Sequence, residues 1–196
     1  MAQRISKREI KALVCVPYEQ VRDVLQTGDL VFCSGSYLFS RAIQAFTRSV
    51  WSHVAIVYRD EHLQRVFVLE SETGIGVRLA PLSKYLRDYH GRRRPYRGQI
   101  VVARLHTDID DAALLRVIST GMDELTKPYD NLEILRISMR ILFRVSRRTR
   151  DRKYICSELV ESCYRRAGVR FQLKDNFISP LDIWLDPHVE LKNRIL

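Results

Sequence analysis

The sequence predicts an α+β domain in which a small antiparallel sheet packs against helices. Two observations carry that prediction. Short β-branched runs crowd the first half of the chain, and helical apolar spacing dominates the second half. A third feature organises the rest: one helix in the second half opens at a cysteine, Cys156. With 196 residues the chain is long enough for one compact domain with a real core and short for two. Residues 1–196 are therefore read as a single domain, with 1–26 as an N-terminal helical extension.

In chain order, Ile5, Ile10, Leu13, Val14, Val21, Val24 and Leu25 fall at rough helical spacing, interrupted by Pro17. A turn at Thr27-Gly28-Asp29 leads into the buried-strand run Leu30 to Cys33, which Ser34-Gly35-Ser36 breaks. A helix follows, with Leu38, Ala42, Ile43, Ala45 and Phe46 as its apolar set. Ser52 to Tyr58 and Arg65 to Glu70 are two strands around a polar turn, the pattern of an antiparallel hairpin. Val77 to Leu79 makes a short third strand and Ile100 to Leu105 another. From Asp110 the spacing becomes helical through Leu125. The arginine-rich stretch Gly91 to Gly98 and the stretch Arg144 to Lys153 look like linkers.

Cys156 is followed by Leu159, Val160, Cys163, Tyr164 and Ala167, one face of a helix of roughly three turns. Gly168 stands where a helix stop belongs. A helix N-terminus carries about half a positive charge, which favours a thiolate over a thiol. Cysteine is also a common small core residue, so the position alone does not establish chemistry. A nucleophile needs a base and the base needs an orienter. Among the histidines only His53 stands at the mouth of a strong strand. Glu70 closes the apolar run of the next strand, with Glu72 as a competing carboxylate. Cys156, His53 and Glu70 together make a nucleophile–base–orienter set. Asp29 reads as a residue that pins its turn.

Composition narrows the classes. The cysteines Cys15, Cys33, Cys156 and Cys163 form no CxxC pair and no metal-ligand spacing, which disfavours a zinc ribbon or a disulfide scaffold; no metal or other cofactor is expected. No apolar run approaches the ~18 residues of a membrane span. The charged N-terminus lacks a signal-peptide core, which points to a cytoplasmic protein. Lys and Arg number 33 against 23 acidic residues, a formal charge of +10, which suits an anionic partner.

Taken in order, Gly28-Asp29-Leu30-Val31-Phe32, Trp51 to Val57, Leu69-Glu70-Ser71 and Tyr154-Ile155-Cys156-Ser157-Glu158-Leu159-Val160 resemble the circularly permuted, NlpC-type branch of the papain-like cysteine hydrolases. That branch includes YiiX-like proteins and is related to the lecithin–retinol acyltransferase group. In unpermuted relatives the cysteine helix precedes the histidine strand, whereas here it follows. Lys127-Pro128-Tyr129-Asp130 and Ser179-Pro180-Leu181-Asp182-Ile183 also look like this branch, and the resemblance spans residues 27 to 192. It implies a permuted papain-like fold with Cys156 as nucleophile, His53 as general base and Glu70 as its orienter. Tyr129, Ser52 and Ser157 would be substrate contacts.

The implied reaction is hydrolysis or acyl transfer at an amide or ester bond through a thioester. The substrate would be a small molecule, a lipid or a peptide. Ile134, Ile137, Ile141 and Val145 share a helical face while Arg136, Arg140 and Arg144 recur every four residues on another. This basic amphipathic pattern suits an anionic membrane or partner surface, and it tilts the reading toward lipid or acyl-chain substrates on a peripheral membrane protein. An ordinary solvated helix would look the same. Nucleic acid is disfavoured, because no aromatics interleave with these arginines. Two rivals are a peptidase or amidase acting on cell-wall-type peptides, and a non-enzymatic basic module that binds membrane or nucleic acid.

Overall fold

The structure, a computed structural model, describes residues 4–106, 109–127, 155–172 and 178–195. A seven-stranded sheet forms its centre, in the order β1-β7-β6-β2-β3-β4-β5. The strands are β1 (Cys15–Val16), β2 (Leu30–Gly35), β3 (His53–Asp60), β4 (Arg65–Glu72), β5 (Gly76–Pro81), β6 (Gly98–Leu105) and β7 (Val189–Ile195). All neighbours pair antiparallel except β1 with β7. The expected strands are all present. The N-terminal segment holds α1 (Lys7–Ala12) and α2 (Tyr18–Val21), and between them β1 joins the sheet edge. Helix α3 (Leu38–Phe46) links β2 to β3, and α4 (Leu82–Arg87) follows β5.

Strand alternation gives the sheet two differently dressed faces. One carries Leu30, Phe32, Val54, Ile56, Leu69 and Val101, and it packs with α5 (Asp111–Met122), α6 (Cys156–Arg166) and α7 (Pro180–Trp184). α5 lies close because it presents Gly121 to the sheet, where a Cβ would stand 2.2 Å from a Leu69 methyl. The other face carries Val31, Cys33, Ala55, Val57, Val66 and Val68, covered by Tyr18, Leu82, Tyr85, Tyr89 and Tyr96. Gly91 to Gly98 is therefore no linker: Tyr96 is buried in this layer and its N–H donates to the Tyr85 carbonyl at 2.7 Å. Two turns behave as the sequence suggests. Gly168 takes φ +93° just after α6, and the buried Asp29 accepts from the Gln26 N–H at 2.8 Å while binding Arg104 through both oxygens.

Candidate active site

His53 begins β3 and pairs with Cys33 of β2. It shares a face with Ala55 and Val57, so its imidazole leans to the tyrosine-covered side of the sheet. Glu70 is the third inward residue of β4 after Val66 and Val68, and the same alternation puts it on that side. Cys156 arrives from the opposite layer as the first residue of α6, behind an extended Ile155 (φ −83°, ψ 160°). The three side chains meet at the sheet rim where β3 starts.

His53 Nε2 lies 2.7 Å from Glu70 Oε2. Cys156 is close enough to the same imidazole to act on its proton affinity. The site is screened from water: Glu70 is fully buried, the Cys156 residue is 5 % exposed and the His53 side chain 14 %. Burial works against an imidazolium here. Neighbouring Cys156, and then bonded Glu70, outweigh it and hold His53 well above its ordinary value. Burial likewise works against the Glu70 carboxylate, but His53, Arg78 and Tyr85 bring it below its ordinary value. The imidazole thus keeps a proton in a setting where an isolated buried histidine would lose it.

The tyrosine layer does more than fill space. The Tyr85 hydroxyl donates to Glu70 Oε2 and the Tyr89 hydroxyl to Glu72 Oε2. These tyrosines and Arg78 escaped the sequence reading. Tyr85 and Tyr89 come from a helix and a turn with no marked periodicity, and the Glu70–Arg78 pairing is visible only once the β4–β5 register is known.

Ser52 and Ser157, expected as substrate contacts, turn their side chains inward. Both are buried, and their hydroxyls donate to main-chain carbonyls, Ser52 to Cys33 at 3.1 Å and Ser157 to Ile178 at 2.8 Å. Each is bound inward by a strand or a neighbouring turn. Ser157 fastens the start of α6 to the segment before α7, whose Ser179 and Asp182 cap one another. Tyr129, Arg136, Arg140 and Arg144 lie outside the described residues.

With this geometry in place, the chain matches a known family model over most of its length. The model is that of the permuted papain-like amidases of the YaeF/YiiX type, C92 family, and it matches residues 24–180. The chain belongs to this family. A crystal structure titled metalloprotein yiiX from Escherichia coli O157:H7 has the same fold, with a TM-score of 0.62 at 23 % identity. The match covers 86 % of this chain and 97 % of that one. A search of curated proteins found no match. In this family member the donor atoms of His53, Glu70 and Glu72 lie within 4.8 Å of one another, a spacing that a cation could in principle use. The set does not fit one. Both Glu70 oxygens are engaged, and the Arg78 guanidinium stands 2.8 Å from Oε1, so a metal ion would meet a fixed positive charge.

Proposed function

We propose that this family member is a thiol amidase in which Cys156 is the nucleophile, His53 the general base and acid, and Glu70 the orienter. The single observation that supports this most is the His53 imidazole held 2.7 Å from buried Glu70 beside the helix-opening Cys156. His53 takes the thiol proton, and the sulfur attacks the substrate carbonyl carbon. The Cys156 N–H, which has no partner one turn earlier in its helix, is aimed to receive the developing oxyanion. Collapse of the tetrahedral intermediate breaks the C–N bond, and the leaving amine departs with the proton from His53. Water, deprotonated by His53, then hydrolyses the thioester and returns the proton to the sulfur. A non-enzymatic module would have no use for a buried, mutually bonded histidine and glutamate beside a thiol.

An amide is the bond that the family description favours. A lipid or acyl ester, cleaved or transferred at an anionic surface, is the second reading. Its support is the charge of +10 and the spacing of Arg136, Arg140 and Arg144. Among the described residues no helix is long and apolar enough to cross a membrane.

The test is mass spectrometry of the intact protein after incubation with a panel of peptide amides and acyl lipids. An acyl adduct on Cys156 names the substrate class. Cys156→Ala should lose the adduct and lower turnover on the order of 10⁴-fold or more. Undiminished turnover in that variant moves the nucleophile elsewhere and ends this reading.

A further inference from the structure

Two acids, not one, stand beside the His53 imidazole. Register alone does not choose between them: the β3–β4 pairing Ile56↔Leu69, continued to the start of β3, would place Glu72 opposite His53. Yet it is Glu70 that bonds the ring. What differs is the support behind each acid. Glu70 pairs across the β4–β5 ladder with Arg78, whose Nε and Nη2 both lie 2.8 Å from Oε1. That grip leaves Oε2 for the Tyr85 hydroxyl and His53. Glu72 receives the Tyr89 hydroxyl at 3.0 Å, while Arg78 Nη2 and His90 Nε2 stay 3.8 and 3.9 Å away.

We infer that Arg78 is a positioning residue: it fixes Glu70, and not Glu72, as the partner of His53, and acts on Cys156 only through that acid. The inference rests on the reading of Cys156, His53 and Glu70 as the reacting set. Its physical basis is the cost of buried charge. Two carboxylates close together cannot both stay ionised without a cation, and a guanidinium that meets one oxygen through two N–H groups neutralises and orients that carboxylate at once. Without it, either Glu70 takes up a proton or the imidazole turns toward Glu72. In both cases the ring loses the partner that aims it at the sulfur. Among the described residues, the other titratable groups that feel Glu70 include Cys33 of β2, and Tyr89 and His90 in the turn after α4. None of them brings a fixed positive charge to Oε1.

Cys156 alkylation by iodoacetamide tests this without a known substrate. The rate is followed from about pH 5 to about pH 9, around the ordinary thiol value. In the wild type the reactivity should extend to low pH and depend on His53. Arg78→Gln should move the acid limb of the profile upward by about one unit, a ~10-fold loss on that limb. Arg78→Lys, which keeps charge without the two-pronged geometry, should recover part of it. Glu70→Gln should slow alkylation, and adding Arg78→Gln to it should cost nothing more. That double variant removes the buried charge together with its partner, so it stays informative if Arg78→Gln alone folds poorly. A full extra loss in the Glu70→Gln background, or a wild-type profile in Arg78→Gln, overturns the inference. A profile that ignores His53→Gln instead overturns the reacting set itself, and this inference with it.

Discussion

The two faces of the sheet solve opposite problems. Under α5 and α6 the sheet is dry: Leu30, Phe32, Ile56 and Leu69 are fully buried and meet other apolar side chains. Under α4 the sheet buries a carboxylate as completely as it buries leucine, and an arginine and a tyrosine hydroxyl hold it there. Cys156, the proposed nucleophile, comes from the dry layer, and His53 and Glu70, its proposed base and orienter, come from the polar one. A helix clamped by apolar packing supplies a fixed sulfur, while a bonded polar layer supplies charge where it is needed. Neither layer could provide both, because an ionised group needs partners that a dry core lacks.

The site parts most widely from the rest of both layers in cysteine reactivity. Cys156 and Cys163 lie on the same helix, seven residues apart. Cys163 is fully buried on the dry side, and burial pushes its thiol up to about 12. Peptide mapping after brief alkylation at neutral pH should find Cys156 labelled orders of magnitude faster than Cys163. Buried Cys33, also raised by burial, should stay silent. Equal labelling of the three would remove what sets Cys156 apart at the meeting of the two faces.

Next in size are two stability changes of different kinds. Leu159→Ala, at a fully buried site of α6, should cost about 2–5 kcal/mol in denaturant unfolding. The pH dependence of alkylation should survive in the folded protein. Tyr85→Phe removes only a hydroxyl that donates to a carboxylate, about 1.5–3 kcal/mol, yet it should disturb that pH dependence. If both variants left the profile alone, the polar layer would be packing rather than chemistry.

What the sequence disclosed divides along the same line. His53 and Glu70 were legible because each ends or begins an apolar strand run, where a polar residue is conspicuous. Cys156 was legible because the helical spacing starts from it. Arg78, Tyr85 and Tyr89 were not. Their role exists only across a strand register and a chain reversal that no local pattern encodes. The direction of Ser52 and Ser157 was not legible either: adjacency to a site residue in sequence says nothing of side-chain direction, and both hydroxyls turn inward to main chain.

The smallest expected effect discriminates most finely between the faces, and it concerns pH. The polar layer pushes Glu70 below its ordinary 4.5, because His53, Arg78 and Tyr85 outweigh the opposing effect of burial. A carboxyl lowered on folding contributes stability that is present above its unfolded value and lost as pH falls through the folded one. His53 runs the other way. Burial opposes the shift, but Cys156 and Glu70 raise it well above 6.5, so its contribution is full below 6.5 and lost as pH rises through the raised value. The two contributions therefore coexist fully between 4.5 and 6.5. Urea unfolding at a series of pH values should show the deficit of Glu70→Gln at its largest in that window and shrinking on the acid side, where the wild-type carboxyl also becomes neutral. The deficit of Leu159→Ala should stay flat across the same range, since no charge changes beside it. Parallel curves for the two variants would mean that Glu70 is not held as a carboxylate, and the imidazole would then lose one of the two partners that keep its proton.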